Sequence, residues 1–427
     1  MSKRINIFLI SLFIPFACFA QQGFVKVNGT HFTIDGKPYR YIGTNYWYGG
    51  LLSTNGEKGK KRLKTELDFL KQHGVTNLRV MVGAEGLTDY KFRTPNEKVL
   101  QPAAGKFDEH IMAGLDYLLN ELAKRHMKAV LHFTNTWEWS GGLGQYLKWN
   151  GYGEPPYPKS LSGYYSWDKL RQYISRFYTC KPCMDELDSY IRYVLKRTNR
   201  LNGKKYVNDP AIMAWEIINE PRPMEKASVP AFVAWMSHVS ALVKSMDKNH
   251  LLTTGSEGDI ASDYDLRVYQ KIHADKNIDY LTIHIWPKNW GWFKDTSINA
   301  GYKKILDSAG KDIQKHLQVA KQLNKPLVIE EFGLPRDLHV YSPHNSTYNR
   351  DHFYSFIFNK VLTNPGIAGC NFWAFAGIAR PIPGQTFWKD GDEFMGDPGG
   401  EEQGLNSVFD SDESTWKVIS TYTAKLK

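Results

Sequence analysis

From about residue 41 onward, short apolar runs alternate with longer stretches in which apolar residues recur every three or four positions. The short runs predict strands at Tyr41 to Asn45, Asn77 to Val82, Lys128 to Phe133, Ile212 to Ile218, Leu251 to Thr254, Tyr280 to Ile285, Leu327 to Glu331 and Ile367 to Phe375. The longer stretches predict helices, among them Arg62 to His73, His110 to His126, Asp185 to Lys196, Pro230 to Met246, Ala309 to Leu323 and Tyr348 to Leu362. No Pro/Ser/Gly-rich linker interrupts this alternation. Repeated strand–helix alternation of this kind predicts an α/β fold, a (β/α)8 TIM barrel forming a single domain over residues 21–427. Ahead of it, Phe24 to Tyr39 with its Asp35-Gly36 turn predicts a short N-terminal β-hairpin that plugs the bottom of the barrel or packs beside it.

A barrel gives special weight to polar residues at the C-terminal ends of its strands, where active sites are assembled. The apolar run from Ala211 to Ile218 stops on Asn219-Glu220-Pro221-Arg222, and the run from Leu327 stops on Glu330-Glu331-Phe332-Gly333. Arg79, Asn135, His284 and Trp373 end four other predicted strands. Two carboxylates facing each other across a barrel mouth suit glycoside hydrolysis, one as proton donor with a raised pKa and one ionised for attack.

Composition extends this picture. The 427 residues are 42% hydrophobic, enough for a large core, and they include 13 Trp and 24 Tyr, more rings than packing alone requires. Trp137 and Trp139 after the third strand, Trp290 and Trp292 after the sixth, and Trp47 in "NYWYG" sit beside loop glycines and are candidates for stacking on sugar rings. Residues 1–20, MSKRINIFLISLFIPFACFA, have the basic start, apolar run and small-residue end of a signal peptide. They predict an exported protein, secreted, periplasmic or on the outer surface, with Cys18 a poor fit to a lipidation site. The apolar run is short for a span, so no stable membrane span is expected. The net charge of +10 is scattered apart from Lys58 to Arg62, which reads as a solvated helix face and not as a nucleic-acid patch. Cys180 and Cys183 predict a local disulfide, and Cys370 a buried free thiol. Asp410 to Glu413 lacks the spacing of a calcium-binding EF-hand loop and reads as a cap on the last helix.

The segments "WEIINEPR" and "IEEFG" resemble the acid/base and nucleophile segments of family five glycoside hydrolases. "FTIDGKPYRYIGTNYWYGG", "HIWPKNWGW" and "GDPGGEEQGLNSVFDSDEST" narrow the resemblance to the endo-β-1,4-mannanases of that family, over residue 24 to the end. The resemblance implies Glu220 as acid/base and Glu331 as nucleophile, because the family's nucleophile directly precedes an aromatic residue and Gly. Glu330 is then structural, its side chain turned to the other face of the strand. By the same resemblance Asn219 bonds the sugar 2-hydroxyl, Arg79 keeps the nucleophile ionised, and His284 and Trp373 border the sugar at the cut. Trp286 stands where relatives carry a Tyr near the nucleophile, and Met81 where many carry Trp. Arg222 and Glu257 fall on the leaving-group side. The expected activity is retaining endo-hydrolysis of internal β-1,4 bonds in mannan, glucomannan or galactomannan, by a monomer that calls for no cofactor or metal. The partners are β-mannan polysaccharides and oligosaccharides. A β-1,4-glucanase on the same scaffold and a non-catalytic glycan-binding protein are the alternatives.

Overall fold

The structure, a computed structural model, describes residues 23–88, 93–158, 165–294 and 298–426, so the leader at residues 1–20 lies outside the described residues. Eight parallel strands form the predicted barrel: Tyr41–Asn45, Asn77–Met81, Lys128–Asn135, Ile212–Asn219, Leu251–Thr253, Leu281–Ile285, Leu327–Phe332 and Ile367–Phe372. They pair in sequence order, and the eighth pairs with the first. The fifth and sixth strands meet through looser contacts, including Asp279 N–H to Leu252 O (2.8 Å) and Thr253 Oγ1 to Tyr280 O (3.0 Å). Every residue of the third and fourth strands is buried, as expected for strands covered on one face by helices and filled on the other by barrel side chains.

Two departures from the predicted elements bear on the site. The eighth strand ends at Phe372, and Phe375–Gly377 leaves the barrel to pair with Val408–Phe409. Trp373 is therefore placed at the mouth. The predicted hairpin is a three-stranded antiparallel sheet, Val25–Asn28, His31–Ile34 and Lys37–Tyr39, whose Phe32 meets Tyr280 edge-on at 5.3 Å and closes the barrel bottom.

The long connection after the third strand folds into helices Gly142–Trp149, Trp167–Ser175 and Lys181–Leu195. The Cys180–Cys183 disulfide clips the start of the last of these, and Cys370 is free and buried. Helix Ile298–Leu323 begins eleven residues before the predicted Ala309, its first turns held by buried Ile298 and Ile305. The Asp410 to Glu413 segment leads into the last helix, Glu413–Leu426, and the Asp412 carbonyl accepts from Trp416 N–H at 2.9 Å. Asp412 forms a buried ion pair with Arg336 at 2.6 Å, and Asp410 pairs with Arg380. Among the described residues no helix is long and apolar enough to cross a membrane.

Candidate active site

The floor of the barrel mouth is organised by one cation. Arg79, in the middle of the second strand and 2% exposed, donates from Nε to Glu216 Oε2 (2.8 Å) and from Nη2 to Glu216 Oε1 and Asn219 Oδ1 (2.7 Å). Its Nη1 serves Asn45 Oδ1 (3.1 Å) and Glu331 Oε1. All five of its N–H bonds are thus committed. Asn219 is fixed in turn, because its amide nitrogen donates to Asn135 Oδ1 at 3.0 Å. Glu216 was not singled out in the sequence, although an acid in the middle of an otherwise apolar buried strand signals a buried ion pair.

Glu220 and Glu331 come together over this floor. Glu220 has a positive φ of 53°, a sparsely populated conformation for a side-chain-bearing residue, and its N–H bonds Gly255 O at 3.0 Å. Its Oε2 accepts from Trp137 Nε1, and its Oε1 lies 2.7 Å from His284 Nδ1. The same Nδ1 lies 3.3 Å from Glu331 Oε2, which also accepts from Trp286 Nε1 at 3.1 Å. The indole N–H of Trp286 thus donates to the Glu331 carboxyl. Polar atoms of Glu220, His284 and Glu331 all lie within 4.8 Å of one another. That spacing would also admit a metal ion, but three of the four carboxylate oxygens accept a protein N–H and the fourth faces His284 Nδ1. Among the described residues a second such cluster, Asp259, Asp312 and His316, holds Lys315 Nζ 2.7 Å from both Asp259 oxygens.

Burial raises both catalytic-site carboxyls above the ordinary carboxylate range. Arg79 opposes this at Glu331 through a direct hydrogen bond, whereas Glu220 feels Arg222 first and Arg79 only from a distance. Of the pair, only Glu331 is bonded directly to a guanidinium, the contact that favours its anion. His284 is pushed down to about 3 by burial and by Arg79, so it is neutral.

Above the floor lies a cavity of about 660 Å³. Asn219, Glu220, Glu331, Trp286, Trp373, Trp137, Trp139, Trp290, Arg222 and Glu257 line it. Arg222 and Glu257 are bonded to each other at 2.6 and 2.7 Å, and the Arg222 guanidinium lies 4.9 Å over the Trp137 ring. Trp47 does not line the cavity. It is 4% exposed, donates to Gly396 O, and packs edge-on against Tyr48, Trp139 and Phe394. Trp292 leans on Trp290.

Further lining residues not singled out in the sequence include Glu138, Trp167, Tyr264 and Glu401. Burial pushes Glu138 up to about 7, and burial with neighbouring Asp397 pushes Glu401 up to about 8. Glu401 does lie inside the mannanase-like segment "GDPGGEEQGL", which is the one signal that pointed to it.

Two carboxyls this close at the C-terminal mouth of a (β/α)8 barrel, beneath a ring-lined cavity, define a glycoside hydrolase. The comparisons narrow the class. The model of the glycoside hydrolase family 5 β-mannosidase-like proteins matches residues 22–427, and the chain belongs to that family. It is similar to the family 5 mannosidase of Rhizomucor miehei, with 34% identity and a TM-score of 0.83 over 95% of this chain and 97% of that one. Among curated sequences it is similar to mannan endo-1,4-β-mannosidase 7 of Arabidopsis thaliana, 28% identical over 95% of this chain and 85% of the relative. It is likewise similar to mannan endo-1,4-β-mannosidase 2 of the same plant, 30% identical over 83% and 79%.

Proposed function

We propose that the protein is exported and cleaves β-1,4-mannosidic bonds of mannan-type chains by double displacement with retention. The observation that carries this is the short separation of Glu220 and Glu331. Carboxyl groups about 5–5.5 Å apart allow direct attack on the anomeric carbon, whereas inversion requires a wider gap that admits water. Glu331, ionised beside Arg79, attacks the anomeric carbon as protonated Glu220 delivers its proton to the glycosidic oxygen. Glu220 then takes a proton from the water that releases the mannosyl group. In this reading Asn219, which has one amide hydrogen uncommitted, bonds the 2-hydroxyl, and the ring of Trp373, which lines the cavity, supports the sugar.

Two positions of cut are supported by different observations. The names of the plant relatives support endo action on internal bonds. Removal of terminal mannose is favoured by the wall of Trp47, Trp139, Trp388 and Phe394 beside the cavity, and by the mannosidase-like family model. Product sizes from mannohexaose separate them, since internal cuts give intermediate oligosaccharides at once and terminal cuts give mannose.

The deciding experiment compares sugar release from mannan and carboxymethyl cellulose by wild type, Glu220→Gln and Glu331→Gln. Mannan-selective release that falls by about 10²–10⁴-fold in Glu220→Gln and by roughly 10⁴-fold or more in Glu331→Gln is expected. Release mainly from cellulose moves the function to a glucanase, and folded wild type inactive on both points to glycan binding alone. In this reading the rate follows a bell in pH, lost on the acid side as Glu331, bonded to Arg79, protonates and on the alkaline side as Glu220 loses its proton.

A further inference from the structure

Glu330 departs from the simple alternation of a strand. Against the sixth strand, Ile283 pairs with Ile329 and His284 with Glu331, so the register slips by one residue at Glu330. Its side chain therefore turns into the barrel interior and not to the opposite face. It lies 1% exposed, with Oε2 3.8 Å from Arg79 Nε and 3.8 Å from His284 Nε2. Both carboxyl oxygens lack a hydrogen-bond partner, and so does His284 Nε2.

We propose that Glu330 is a neutral carboxylic acid whose O–H serves His284 Nε2, making it a positioning residue that fixes His284 with its proton on Nδ1, facing Glu220 and Glu331. The inference rests on the proposed roles of those two carboxyls. Arg79 has no N–H left to support an anion at Glu330, since its five are given to Glu216, Glu331, Asn45 and Asn219. An ionised carboxyl without a donor is the costlier state in such a place. Burial and the adjoining Glu216 carboxylate push Glu330 the same way. The Tyr41 and Tyr280 hydroxyls face the same interior and are themselves unpartnered.

A neutral imidazole carries one N–H. Were it on Nε2, the Nδ1 lone pair would face Glu220 Oε1 at 2.7 Å and Glu331 Oε2 at 3.3 Å, where it would compete for the proton of the acid. With the proton on Nδ1, Nε2 becomes a buried acceptor in need of a donor. A protonated Glu330, closing its gap by about 1 Å, supplies one.

The test reads the His284 tautomer from ring ¹⁵N shifts, alongside the pH profile of kcat/KM on an aryl β-mannoside. It uses wild type, Glu330→Gln and Glu330→Leu. The expected result is Nδ1–H in wild type and in Glu330→Gln, whose amide N–H stands in for the acid. In Glu330→Leu the proton redistributes to Nε2, the alkaline limb of the profile moves, and kcat/KM falls roughly 10- to 100-fold. Glu330→Gln restores most of that loss. An Nε2–H tautomer in wild type overturns the proposal, as does a Glu330→Gln rate as low as that of Glu330→Leu, which marks a needed anion. An unchanged tautomer in Glu330→Leu also overturns it and assigns the proton to Glu216. If Glu330→Leu does not fold, wild type and Glu330→Gln still decide. The tautomer needs no substrate, so an inactive wild type would defeat the proposed activity separately.

Discussion

The floor of the barrel mouth and its rim are built on opposite terms. On the floor, Arg79, Glu216, Asn219, His284 and Glu331 are each 4% exposed or less and joined by hydrogen bonds, and all stand on barrel strands. On the rim, Trp167 is 39% exposed and Tyr264 68%, and both stand on the connections after the third and fifth strands. The floor buys exact placement with charges that survive burial only as a set. The rim leaves apolar rings in water, where they add little to folding and are free to meet a sugar. Chemistry belongs to the first and choice of chain to the second, so the two should respond differently to substitution.

The largest effect is expected where the floor loses its only guanidinium. Arg79→Met leaves Glu216 and Glu331 buried without their cation, and breaking a buried ion pair from one side costs about 3–5 kcal/mol. Urea unfolding should show that loss in the midpoint, and activity should fall with it because Glu331 would take up a proton. A variant as stable as wild type would mean that the floor is not a coupled set, and the contrast with the rim would fail.

This coupling also explains how much was legible in the sequence. Short apolar runs, and the period-3.6 stretches between them, gave the eight barrel strands to within a few residues, because barrel strands and their covering helices obey simple burial rules. Glu220 and Glu331 stood out because each ends an apolar run. Glu330 did not follow the pattern, since a one-residue slip in register reverses a side chain and nothing local announces it. Trp47 looked like Trp137 in sequence, both being loop tryptophans near glycine. Only the three-dimensional packing sends one into a cluster of rings and the other over Arg222 and Glu220. Trp167 was hidden in a long insertion whose helices serve the rim and have no counterpart in the barrel repeat.

A smaller effect should come from the support beneath that insertion. The Cys180–Cys183 bond closes a very short loop, for which chain entropy gives about 2 kcal/mol. It joins helix Trp167–Ser175, through the turn that holds Tyr178, to helix Lys181–Leu195, and the Tyr178 hydroxyl donates to Arg222 O at 2.6 Å. Replacing both cysteines by Ala should lower the calorimetric melting temperature by roughly 2 °C in a chain of this size. The rate on a substrate that makes no use of the rim should stay the same. A large loss of that rate would show that support of the rim reaches the floor.

The smallest expected effect is also the sharpest test of the division. Trp167 meets Trp137 edge-on at 6.0 Å, and Trp137 in turn donates to Glu220, so the exposed ring lies on the Glu220 side of the cavity, away from the packed wall at Trp47. A leaving sugar chain passing over Glu220 would run beside Trp167 and Tyr264. Ring contacts of this kind contribute about 0.5–1.5 kcal/mol, roughly a 2- to 10-fold change. Trp167→Ala should therefore raise KM for mannotriose by that factor with little change in kcat, while leaving β-mannosyl fluoride untouched, because fluoride departs without occupying the rim. Equal losses on both substrates would mean that Trp167 acts through Trp137 on the placement of Glu220. The rim would then be an extension of the floor and not a separate device for choosing chains.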